Sequence, residues 1–164
     1  MKYAITGHTQ GIGLALFNTV ENAIGFSTSN GYDITLKKDR KRIIEQSSEC
    51  NIFINNAHSH YGQVDMLLDL FAAWKDQDKL VINIGSRIAE DTTCLKNYEH
   101  LLEYQIQKKA LKVLHYDLVK LDVKLQFKYV WFGYVGTERI LKKYPQITQD
   151  QYISVENAVE MILS

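Results

Sequence analysis

The chain has 164 residues, 46% hydrophobic and 23% charged, an ordinary globular balance that allows one well-buried domain spanning residues 1–164 and is too short for two. Nineteen Lys and Arg balance nineteen Asp and Glu, so no net field points to nucleic acid or an anionic membrane. The two cysteines, Cys50 and Cys94, have no partners at metal-ligand spacing, no signal-peptide pattern opens the chain, and apolar runs fall short of a membrane span. A soluble cytoplasmic protein is expected, without metal, nucleic acid or membrane.

Lys2 to Thr6 reads as a short strand that stops at Gly7. Ile12, Ala15, Leu16, Thr19 and Val20 then recur at helical spacing, giving a helix from Gly11 to about Asn22. Ile24 to Ser27 reads as a second strand and Tyr32 to Thr35 as a third, with no room for a crossover helix between them. Residues 37 to 48 form a charged helix whose "KKDRKR" is read as a solvated face. "CNIFIN" is a buried strand, Val64 to Trp74 a helix, and "KLVINIG" the next strand. Leu101 to Leu121 is a long helix, and "VKLQFKYVWFG" the last clear strand. "ERILKKYPQ" suggests a small helix, and Val155, Ala158, Val159 and Ile162 mark a final one with Ser154 as N-cap. This alternation predicts an α/β fold: a doubly wound, mostly parallel sheet of about six strands, with ligands at the strands' carboxyl ends.

In "TGHTQGIG" the spacing is G-x-x-x-G-x-G, with Gly7, Gly11 and Gly13 between strand and helix. Such a loop permits a tight turn, close backbone approach to a pyrophosphate, and a helix N-terminus aimed at its charge. "INNAH" (54–58) and "NIGS" (83–86) end the next two strands, and "EYQIQKKAL" puts Tyr104 and Lys108 on one helical face. In this order, and with "WFGYVGTE" (131–138) after the last strand, these stretches resemble the short-chain dehydrogenase/reductase family over nearly the whole chain.

The resemblance implies a Rossmann-like domain and an NAD(P)-dependent oxidoreductase that interconverts a small-molecule carbonyl and alcohol. It implies cofactor contacts from Gly7, Thr9, Gln10, Gly11, Ile12 and Gly13 at the pyrophosphate, and from Ser27, Thr28 and Asp33 around the adenosine. Asn55, Asn56 and Ala57 would pass the adenine ribose, and Val135 and Thr137 the nicotinamide carboxamide. Ser86, Tyr104 and Lys108 would be catalytic, with Tyr104 and Lys108 also meeting the cofactor. A lysine ammonium and a positive nicotinamide ring would lower the tyrosine from its ordinary pKa of about 10. NADP(H) is favoured over NAD(H), because "FSTSN" offers no carboxylate to a 2′-phosphate.

The chain also departs from the pattern. It is shorter than standard members and should lack their seventh strand, while the stretch from Ser86 to Tyr104 is longer. His58 stands for the last glycine of N-N-A-G and Phe132 for the proline of the later segment. No asparagine matches the one that holds a relay water; His60, Tyr61 and Gln63 are the candidates to replace it. "HSH" is read as polar lining of the cofactor cleft rather than a zinc site. The competing reading is a non-catalytic dinucleotide-binding protein, a sensor or assembly partner. The broad apolar faces of 64–74 and 101–121 resemble the helix pair through which family members associate, so a homodimer or homotetramer is expected.

Overall fold

Tyr3–Thr6 forms β1 near the middle of a parallel sheet, and its neighbours lie on either side: β2 (Ala23–Phe26) and β3 (Ile52–Asn55). The sheet continues through β4 (Leu80–Ile84) to β5 (Gln126–Val130), giving the order β2-β1-β3-β4-β5. The chain steps one way from β1 to β2 and the other way from β3 onward, so a crevice opens at the carboxyl ends of β1 and β3. The computed structural model describes residues 1–90 and 99–164. Cys94 and much of the long stretch between Ser86 and Tyr104 lie outside the described residues.

Strand residues alternate between two cores. Ile5, Ile54 and Ile82 point to the side covered by α1 (Gly11–Thr19) and α6 (Val155–Leu163), where Leu16, Ala158 and Ile162 are buried. Ala4, Phe53 and Val81 point to the side covered by α2 (Lys37–Gln46), α3 (Gly62–Trp74) and α4 (Leu102–Val119). Met66, Leu67, Leu70 and Trp74 of α3 and Leu111 of α4 fill that side. Helices on both faces make the fold α/β and doubly wound, as expected.

Two expectations need correction. Tyr32 to Thr35 is a turn, not a strand, so the central sheet has five strands rather than six. The Asp33 carboxylate accepts from its own neighbour's backbone N (2.8 Å) and hydroxyl (2.7 Å), both on Thr35. Such local side-chain bonds compete with a sheet ladder and win here. The charged segment 37–42 is not a uniformly solvated face: Asp39 and Arg40 are buried. Arg40 donates to Asp69 (2.7 Å) and to the Ile34 and Thr35 carbonyls (2.9 and 3.2 Å), tying α2 to α3 and to the 32–35 turn. Beyond the central sheet, β6 (Tyr134–Val135) and β7 (Tyr152–Ile153) form a separate parallel pair that brackets the small helix α5 (Glu138–Lys143), the one expected there.

Both long helices cover the sheet, and α4 also presents an outward apolar row. Leu102, Ile106, Val113, Tyr116 and Val119 are all exposed. Among the described residues, no helix is long and apolar enough to cross a membrane.

Candidate active site

The glycine loop is built from close backbone approaches. Gly7 and Gly11 have φ of +72° and +52°, which side-chain-bearing residues rarely adopt. Gly13, in the first turn of α1, sits against the Gly7 carbonyl: a Cβ there would lie 2.1 Å from that oxygen and 2.7 Å from Asn56 Nδ2. Asn56 Nδ2 donates to the Thr6 carbonyl (3.0 Å), and the Thr6 hydroxyl accepts from the backbone N of Asn56 and of Ala57 (3.1 Å each). The turn after β3 is thereby stitched to the loop after β1. Gln10 caps α1 without a side-chain hydrogen bond, and no acidic residue occupies the first turn, so the helix start presents its N–H groups to an incoming anion.

Thr137 closes this loop from the other side. Its Cγ2 would lie 3.3 Å from a Cβ on Gly11, and its hydroxyl accepts from Ile140 N as the N-cap of α5. Val135 is buried beside it. At the far end, a small cleft is lined by Phe26, Ser27, Thr28, Asp33, Ala57 and His58. Ser27 and Thr28 open a capped turn, with Asn30 Nδ2 bonded to the Gly25 carbonyl. Of the sequence-predicted residues, Gly7, Gly13, Asn56 and Ala57 thus pack together, Thr137 lies against Gly11, and Ser27, Thr28, Asp33 and Ala57 share the small cleft.

Ser86 follows β4 and caps a short turn, accepting from Ile88 N. Its hydroxyl lies close enough to Tyr104 on α4 to favour the phenolate. Lys108, one helical turn on, is 3% exposed and holds its Nζ 5.7 Å from the Tyr104 ring centre. Ser86, Tyr104 and Lys108 are thus brought together. Burial pushes the Tyr104 phenol above its ordinary value; the Ser86 hydroxyl and the Arg139 guanidinium only partly counter it. The protein's own groups thus raise Tyr104, whereas the expected lowering also counts on the positive nicotinamide ring. Burial lowers Lys108 to about 7.

Several neighbours were not foreseen. The His58 ring meets Tyr104 edge-on at 4.7 Å, and no sequence signal announces the Arg139 approach. Tyr129 reaches under Gly85, where a Cβ would lie 2.3 Å from its hydroxyl oxygen. Of the three candidates to replace the missing asparagine, His60 pairs with Glu103 at the surface and Tyr61 is exposed. Gln63 alone reaches the site: its Oε1 accepts from Lys108 Nζ at 2.7 Å. Its signal was present, since Gln63 shares the inward stripe of Met66, Leu67 and Leu70 at i, i+3, i+4 and i+7.

No protein-family model matches the chain, and no curated protein matches it. Solved structures do match its fold. The 3-alpha-hydroxysteroid dehydrogenase from Pseudomonas sp. B-0831, complexed with NADH, aligns with a TM-score of 0.72 and 17% identity over 99% of this chain and 88% of that one. A short chain dehydrogenase from Burkholderia cenocepacia J2315 in complex with NADP gives 0.73 and 17% over 99% and 84%. A short-chain dehydrogenase/reductase from Serratia marcescens BCRC 10948 gives 0.73 and 18% over 98% and 88%. The chain has the fold of these short-chain dehydrogenase/reductase structures.

Proposed function

We propose that the chain is an oxidoreductase of the short-chain dehydrogenase/reductase type, which transfers hydride between a nicotinamide dinucleotide and a small carbonyl or alcohol. The observation that carries this reading is the meeting of Ser86, Tyr104 and Lys108, with the His58 ring against Tyr104 and the preceding Asn56 and Ala57 packed on the glycine loop. The crevice fits a dinucleotide: Gly13 leaves a cradle that a Cβ would fill, and the start of α1 offers its N–H groups to a diphosphate. Gly7, Thr9, Gln10, Gly11, Ile12 and Gly13 would hold the diphosphate. Ser27, Thr28 and Asp33 would face the adenosine, Asn55, Asn56 and Ala57 the adjoining ribose, and Val135 and Thr137 the carboxamide. We favour NADP(H), because β2 ends in hydroxyls at Ser27 and Thr28 and brings no carboxylate to a 2′-phosphate.

When bound, the dinucleotide supplies or accepts the hydride. Tyr104 keeps its proton at neutral pH, because burial dominates its surroundings. It is therefore prepared as an acid that donates to a substrate carbonyl oxygen. Ser86 would hold the same oxygen beside Tyr104. The Lys108 ammonium would stabilise the phenolate left behind and meet the nicotinamide ribose. The outward row on α4 supports association into a homodimer or homotetramer.

The test is NADPH consumption with a panel of aromatic aldehydes and cyclic ketones, in wild type and Tyr104→Phe. Turnover in the wild type, lost in the variant with NADPH affinity retained, supports the reading. Equal turnover in both removes Tyr104 from the chemistry.

A further inference from the structure

Lys108 is buried and, among the described residues, makes no pair with a carboxylate. Its Nζ donates to two neutral oxygens, Gln63 Oε1 at 2.7 Å and the Ile84 carbonyl at 3.0 Å. Gln63 is itself 1% exposed. Its Nε2 donates to the carbonyls of Asn55 (2.6 Å) and Ile84 (3.0 Å). Those oxygens can only accept, so the amide has one sensible orientation, with Oε1 turned to Lys108.

The backbone beneath Gln63 is equally constrained. Asn55 Nδ2 donates to the Gln63 carbonyl (2.9 Å) and to Asn83 Oδ1 (3.0 Å), and Asn83 Nδ2 lies 3.2 Å from His115 Nδ1. A buried polar ladder thus runs from Lys108 of α4 through Gln63 of α3, Asn55 of β3 and Asn83 of β4 back to His115 of α4. Gly62 lets the start of α3 press onto the 32–35 turn, since a Cβ there would lie 2.9 Å from the Ile34 carbonyl. Gln63 is an acceptor fixed at both its backbone and its amide.

We propose that Gln63 is the positioning residue of Lys108, holding the ammonium by a direct side-chain contact rather than through a water. The proposal rests on the hydride-transfer reading, in which Lys108 must keep one N–H for the reacting side. Two of the three ammonium N–H groups are committed to Gln63 and Ile84, which leaves that one. Among the described residues, the titratable groups that face Lys108 are Tyr104 from α4 and His58 from the segment after β3.

The experiment follows the Lys108 ε-carbon by NMR through a pH titration of the whole protein, without dinucleotide, in wild type, Gln63→Met and Gln63→Glu. Gln63→Met removes a fixed acceptor and is expected to lower the Lys108 midpoint by about one pH unit, a tenfold change. Gln63→Glu keeps an acceptor and adds charge, and should raise the midpoint. Midpoints that stay at the wild-type value in both folded variants would overturn the proposal. If Gln63→Met does not fold, the sign of the Gln63→Glu shift decides it. An NADPH titration of the wild type, run beside it, tests the hydride-transfer reading separately.

Discussion

Lys108 makes the stability of the fold depend on pH in a way that needs no substrate. In the folded chain burial lowers it to about 7, from an ordinary value of 10.5. Between those values the unfolded chain carries more protons at this site than the folded one, so stability rises with pH. The burial penalty is fully present below about pH 7 and is relieved as pH climbs toward the unfolded value. The slope approaches about 1.4 kcal/mol per pH unit. From about pH 7 to about pH 8.5 the gain is therefore on the order of 1.5 kcal/mol. In a chain of this size that corresponds to roughly 3 to 6 °C in Tm. Lys108→Met is the reference, because it leaves every other titrating group in place. The assay is thermal unfolding of both proteins at the two pH values. Wild type should gain stability relative to Lys108→Met as pH rises. A difference that does not change with pH would refute the reasoning.

Gly13→Ala places a methyl 2.1 Å from the Gly7 carbonyl, which should cost about 1 to 3 kcal/mol and remove dinucleotide binding; melting and NADPH titration check both. Gly31→Ala is the control, because its φ is +87° but a Cβ there meets nothing within 4 Å, so it should lose some stability and keep binding. Arg40→Leu leaves Asp69 and two carbonyls without their buried donor and should destabilise by roughly 3 kcal/mol, seen as a lower urea midpoint. Val113→Glu with Tyr116→Glu charges the outward row of α4 and should yield monomers in sedimentation; an unchanged mass would move the interface elsewhere.

The glycine loop, the strand ends and the Tyr104–Lys108 helix were legible because each rests on local chemistry. A positive φ selects glycine, a four-residue spacing selects one helical face, and alternation selects a sheet. The 32–35 segment misled because its β-prone residues suit a strand, while the Asp33 and Thr35 side chains satisfy the backbone within a turn. Arg40 looked like one cation among several, and only the arrival of Asp69 from α3 singles it out. The rise that the protein's own groups impose on Tyr104 depends on how deeply it is buried, which no spacing records. Gln63 lay between these cases: its place on the inward stripe was readable, whereas its contact with Lys108 required the fold.

Equilibrium binding of NADPH and NADH, followed by nucleotide fluorescence, decides whether the glycine loop holds the nicotinamide dinucleotide proposed for it. Saturable binding by the wild type, tighter for NADPH, and loss of binding in folded Gly13→Ala are expected. A well-folded wild type that binds neither nucleotide would contradict the proposal.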